Sequence, residues 1–226
     1  MIIDLGAGAP VQPIIQFTVG GTEYKYTGQE INIANKFHIV SDGLTGWKLW
    51  VYDSLSFQFS FINTPVDVCA IGHGAKGANA YIISDEDRMW GGSGGNGGQI
   101  LNLKEQSFIT GDTLSVTIGD STTVTKNGTS FASPTNGGGA SGGAGGYVGP
   151  NSSPVIGAED GSDGSYAFDP PDSTFDGIKY APGGGGGGTW QSGTADPGTT
   201  ANSPGYGGQG GGGQGGKGIF LMRFKP

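Results

Sequence analysis

The sequence predicts an all-β or irregular fold: an N-terminal β-sheet region followed by a bundle of polyglycine-II helices with inserted loops and little or no α-helix. Three observations carry this reading. Glycine makes up 49 of the 226 residues. Only ten of those glycines precede Gly91. The segments before Gly91 alternate apolar and polar side chains with a period of two. No stretch combines the 3.6-residue apolar period with capping residues that would mark a helix.

The period-two runs define the strands in order. Residues 16–26 and 29–33 read as short strands around the turns Gly20-Gly21 and Thr27-Gly28. In residues 47–52, Trp47, Leu49 and Val51 share one face while Lys48, Trp50 and Tyr52 share the other. Phe57, Phe59 and Phe61 alternate with Gln58 and Ser60 in the same way, and Asp53-Ser54 between the two runs predicts a hairpin. A buried strand over 66–71 leads into Gly72-His73-Gly74-Ala75-Lys76-Gly77. Beyond Gly91, residues 99–104 and 113–119 read as two further strands and 218–224 as a closing one. Strands on both sides place the glycine blocks between core elements. The expected divisions are an attachment region over 1–40, a β region over 41–90 and a glycine-rich domain over 91–226, with loops at 81–90, 147–182 and 189–206.

The glycine blocks have a period of their own. Gly91, Gly92, Gly94, Gly95, Gly97 and Gly98 leave side chains only at Ser93, Asn96 and Gln99, every third residue. A polyproline-II-type helix has three residues per turn, so these side chains line one edge and the other two edges carry only hydrogens. Its peptide groups bond outward, to neighbouring helices, which satisfies a buried backbone. Gly183, Gly184, Gly185, Gly186, Gly187 and Gly188 have no side-chain edge at all and suit the centre of such a bundle. Ordering costs about 1–2 kcal/mol per residue, so a lone run stays open whereas several packed runs hold one another. Flexible linkers are the other reading of this composition. The aromatics beside the blocks, Trp90, Tyr147, Tyr180, Trp190 and Tyr206, weigh against it.

Charge and motif content exclude several classes. A net charge of -8 and a pI near 4.5 leave no basic field for nucleic acid or an anionic membrane. No apolar run approaches the roughly 20 residues of a membrane span, so no membrane insertion is expected. The start Met1-Ile2-Ile3-Asp4 lacks the pattern of a signal peptide, so a chain acting outside a cell would get there by assembly or lysis rather than by a cleaved leader. Cys69, inside the apolar run 66–71, reads as a small buried residue. His38 and His73 have no partner at metal-ligand spacing. Residues 211–218 approach a phosphate-binding loop around Lys217, but Gly218 stands where Ser or Thr is required and a strand follows. Asp160 and Asp163 could serve a cation, but the segment lacks the spacing of an EF-hand loop and a solvated acidic turn is the preferred reading. Neither a cofactor nor an enzymatic activity is expected.

Taken together, the order of motifs resembles the glycine-rich domain of phage and prophage tail proteins. It runs through the WKLWVYDS and FQFSF strands, VDVCAIGHGAKG, GGSGGNGGQ, TLSVTIGD, NGTSFASPTNGGGASGGAGG, the six-glycine run and GGKGIFLMRF. The resemblance covers roughly residues 42–225. More distantly the chain is similar to the tail-fibre-tip adhesins of T-even-type phages, in which a polyglycine-II sandwich displays variable loops. His73 within the entry segment departs from the pure glycine run of that pattern.

The resemblance implies a virion tail protein, at a fibre tip or baseplate, assembled in the host cytoplasm and acting outside the cell. Its partners would be other tail or fibre proteins, through the N-terminal β region, and a host-surface glycan or protein receptor. A purely structural tail protein and a tail-associated cell-wall hydrolase are the alternatives. On a rigid glycine frame the receptor-binding candidates lie in the loops: Tyr81, Trp90, Tyr147, Tyr166, Phe168, Phe175, Tyr180, Trp190 and Tyr206. Aromatics among carboxylates either hold sugars by stacking and hydrogen bonding or fold back as lids over the bundle.

Overall fold

The computed structural model describes residues 14–33, 36–43, 45–62, 65–79, 81–83, 88–143, 147–148, 155–156, 160–168, 172–184, 205 and 213–226. In chain order its strands are β1 (Ile15–Val19), β2 (Thr22–Tyr26), β3 (Ile31–Ile33), β4 (Phe37–Ser41), β5 (Trp47–Val51), β6 (Leu55–Phe61), β7 (Val66–Ile71), β8 (Tyr81–Ile83) and β9 (Arg88–Trp90). There follow β10 (Ile100–Gln106), β11 (Thr113–Ile118), β12 (Thr122–Lys126), β13 (Thr129–Ala132), β14 (Tyr147–Val148), β15 (Val155–Ile156), β16 (Ser165–Tyr166), β17 (Lys179–Tyr180) and β18 (Ile219–Phe224). The fold is all-β with antiparallel pairing, and there is no helix among the described residues.

Two six-stranded sheets face each other. The first has the order β13-β12-β11-β6-β1-β2 and the second β10-β7-β18-β5-β4-β3. Phe17, Phe57, Phe59, Leu114, Val116 and Val124 from the first sheet meet Phe37, Trp47, Leu49, Val51, Val68 and Met222 from the second in one core. The alternation is what makes this possible, because each strand places every second side chain between the sheets. Burying a residue of this size stabilises the fold by about 1.5–3 kcal/mol. The Gly20-Gly21 turn closes β1 on β2 with φ of 55° and 84°, the two positive values that a type I′ hairpin needs.

Two sequence expectations change. Asp53-Ser54 does not close a hairpin: β5 pairs with β4 and β18, while β6 pairs with β1 and β11. Both strands direct their apolar face at the same core, so the chain crosses from one sheet to the other at this corner. The divisions at residues 40 and 90 also dissolve. β1 bonds β6 and β4 bonds β5, while β10 to β13 complete both sheets, so neither the first 40 residues nor those after 91 stand apart.

The glycine segments grow out of the second sheet. Ile71 is the register partner of both Ile100 and Ile219, so β7, β10 and β18 all end at one seam. Past it the chain continues without ladder pairing, and the hydrogen bonds change period. Gly72, Ala75 and Ala78 donate to the carbonyls of Gln99, Asn96 and Ser93, at 2.9, 2.8 and 2.8 Å. Gly74 and Gly77 donate on another side to Gly216 and Gly213, while the carbonyl of His73 accepts from Gly137 on a third. Segment 93–99 is likewise held on three sides, since Gly94 and Gly97 donate to Gly143 and Ala140 and the carbonyl of Gly95 accepts from Gly184. The contacts leave no room for side chains. A Cβ on Gly95, Gly98, Gly183 or Gly215 would come within 3.0 Å of the carbonyl of Ala75, Gly72, Ser141 or Gly74. Gly119, by contrast, has open space around its Cβ position. Gly98→Ala should therefore lower stability by about 1–3 kcal/mol, whereas Gly119→Ala should leave it within roughly 0.5 kcal/mol. Denaturant unfolding of both variants checks this, and equal losses would contradict the close-approach argument.

Candidate binding cleft

Four segments bound an open cleft of about 610 Å³ beside the seam: Gly98 to Asn102, Gly138 to Ser141, Ser162 to Tyr166, and Tyr180-Ala181. Its walls are cross-tied through the backbone. Ser162 donates to the carbonyl of Ser141 at 2.8 Å, and Gly183 donates to that of Ser162 at 2.9 Å. The amide of Phe168 bonds Asn102 Oδ1 at 3.0 Å, and the amide of Thr135 bonds Gln99 Oε1 at 2.9 Å. The hydroxyls of Ser141, Ser162, Ser165 and Tyr166 carry no hydrogen bond among the described residues. On the rim Lys179 Nζ lies 2.7 Å from Asp163 Oδ2, which lowers the Asp163 pKa and raises that of Lys179.

Beside the cleft, residues 167–168 and 172–181 cover the outer face of the second sheet. Phe168, Phe175 and Tyr180 are at most 3 % exposed and pack with Trp50, Cys69, Ile71, Ile219 and Leu221 in a second core. Asp176 Oδ2 accepts from Trp50 Nε1 at 3.1 Å and from the Tyr180 hydroxyl at 2.5 Å. Burial first, and then the Asp176 carboxylate, push the Tyr180 pKa far up. Burial also pushes the Cys69 thiol up to about 12, so it is a packing residue with negligible thiolate at neutral pH. Asp172 fastens this cover to the sheet by pairing with Arg223, and with Lys225 at 3.0 Å, while Arg223 also reaches Asp67 at 3.1 Å. The Arg223 guanidinium lies 4.4 Å over the Phe168 ring.

The sequence candidates are therefore divided. Phe168, Phe175 and Tyr180 present no free stacking surface, because the outer face of the second sheet is apolar and needs a cover. A signal for this existed: the buried runs of β7 and β18 are continuous rather than alternating, as in strands covered on both faces. Tyr166 is half-buried in the cleft. Asp163 is exposed and paired with Lys179, and Asp160 is exposed. Among the described residues no three His, Cys, Asp or Glu side chains gather as a metal site. His38 stacks on Trp50 and bonds Glu30 at 2.8 Å. Trp190, Tyr206 and Gly185 to Gly188 lie outside the described residues.

Tyr81, Trp90 and Tyr147 are brought together. They are successive register partners across the four-stranded sheet β15-β14-β9-β8, with Ile156 completing the line. Loops 81–90 and 147–182, distant in sequence, thus meet in one element, a pairing that no local pattern announces. Gln99, Asn102, Ser141, Ser162 and Ser165 escaped sequence reasoning for the same reason, since the cleft draws them from separate segments.

Comparison with known protein families, with curated proteins and with solved structures returns no match. No helix of the described residues is long and apolar enough to cross a membrane.

The Asp172 carboxyl is held well below the usual carboxylate range, first by the Thr174 hydroxyl and then, against the opposing effect of burial, by Lys225. Because its folded pKa is depressed, its contribution to stability is complete above roughly pH 5 and disappears as pH falls toward the folded value. Asp172→Asn should cost roughly 1.5–3 kcal/mol at pH 7. The difference from the parent chain should shrink on acidification, as measured by chemical unfolding at pH 7 and pH 3.

Proposed function

We propose that this chain is a receptor-binding adhesin of a bacteriophage tail, at the fibre tip or baseplate, that recognises a host-surface glycan or protein. The sandwich serves as its mount on other tail proteins. The glycine segments form a polyglycine-II frame, and the loops beyond that frame meet the receptor. The observation that carries this reading is the three-residue hydrogen-bond period of 72/99, 75/96 and 78/93, with neighbours bonded on three sides of each segment. That period and those outward bonds belong to a packed three-fold helix with no internal bonds.

Connectivity supports the rest. Segment 72–79 leads directly to β8, segment 91–99 departs directly from β9, and β14 follows segment 137–143. Among the described residues, the sheet carrying Tyr81, Trp90 and Tyr147 thus adjoins three glycine segments in the chain, and two of those, 72–79 and 91–99, adjoin the sandwich strands β7 and β10 at their other ends. At about 3.1 Å per residue, segment 72–79 sets that sheet roughly 25 Å beyond the seam. A rigid spacer topped by an aromatic register line is a means of presenting binding side chains at fixed positions.

The test is attachment of the fluorescently labelled full chain to a panel of bacterial strains. At least one strain should be bound, and Trp90→Ser or Tyr147→Ser should cut that binding at least tenfold with the unfolding midpoint unchanged. Attachment to no strain, or attachment indifferent to both substitutions, would count against the reading.

A further inference from the structure

We infer that the cleft beside the seam is a binding subsite for a neutral saccharide, with Tyr166 as its stacking platform. The inference rests on the adhesin reading for its biological setting, but on the cleft's own chemistry for its ligand. A volume of about 610 Å³ accommodates one or two sugar rings and lies within the usual range of small-molecule sites, about 300–1,000 Å³. Its lining offers exposed serine hydroxyls, peptide groups and one half-buried aromatic. Those are the complements of a sugar, whose hydroxyls seek donors and acceptors while its C–H face seeks an aromatic ring.

The free hydroxyls matter most. Ser141, Ser162 and Ser165 make no side-chain hydrogen bond among the described residues. Their backbones, however, are fixed: Ser141 and Ser162 lie in one hydrogen-bonded row and Ser165 pairs with Tyr180 in β16 and β17. Donors and acceptors held in place before the ligand arrives lose little entropy on binding. The other ligand classes fit less well. A nucleotide or acidic sugar would face Asp163, whose one cationic neighbour, Lys179, is already paired with it. An apolar ligand would desolvate serine and peptide groups without bonding them.

The experiment titrates the full chain with methyl galactoside, methyl glucoside, N-acetylglucosamine and galacturonate by saturation-transfer NMR, with attachment to cells scored in parallel. At least one neutral sugar should bind, and more tightly than galacturonate. Tyr166→Ala should weaken that binding at least tenfold, and Ser162→Val several-fold, with unchanged unfolding midpoints. If Tyr166→Ala lowers the midpoint, Ser162→Val, at an exposed position, decides the matter. A chain that attaches to cells but binds none of the four sugars, or binds them equally well with Tyr166 and Ser162 replaced, overturns the cleft assignment and leaves the adhesin reading standing. Sugar binding abolished by Tyr166→Ala in a chain that attaches to no strain upholds the cleft and counts against the adhesin.

Discussion

Everything beyond the seam depends on how closely one backbone can approach another. The carbonyls of Ala75, Gly72, Ser141 and Gly74 occupy the positions where Cβ atoms of Gly95, Gly98, Gly183 and Gly215 would stand. Only glycine permits this, and only this approach lets Gly72, Ala75 and Ala78 reach the carbonyls of segment 93–99. None of these four glycines has a positive φ. The requirement is thus one of space, and it explains why a composition that loses so much entropy on ordering can order at all.

The sandwich supplies the boundary condition. Its second sheet stops β7, β10 and β18 at one level, so three glycine segments start in register and a period of two passes into a period of three. The same sheet has to be covered on its outer face, and residues 167–168 and 172–181 do so with Phe168, Phe175 and Tyr180. The C-terminal end of that cover, Tyr180 and Ala181, then forms one wall of the cleft. Asp172 and Asp176 tie this segment down, and Tyr166, just before it, lines the cleft.

Legibility followed the range of the interactions. The β1–β2 hairpin and the faces of β5, β6, β7 and β11 are written in neighbouring residues, and so is the period-three spacing of Ser93, Asn96 and Gln99. β4, β12 and β13 leave no such mark in the sequence, because short segments of mixed polarity signal little until a neighbouring strand gives them a face. The corner at Asp53-Ser54 looked like a hairpin because alternation reveals which residues point inward but not which sheet receives them. That the outer face of the second sheet needs a cover is legible in the apolar runs 68–71 and 219–222, although not that Phe175 supplies part of it. The cleft is not legible, since it exists only where four separated segments converge.

The seam has a mechanical consequence. Tension applied at residues 81–90 would run down segments 72–79 and 91–99 into β7 and β10, along the strand axes of the second sheet. The ladder joining β7 to β18 is then loaded in shear, with its rungs sharing the load instead of opening one after another. Load entering along the strand axes is therefore spread over the whole ladder, and the seam resists an axial pull better than it resists peeling.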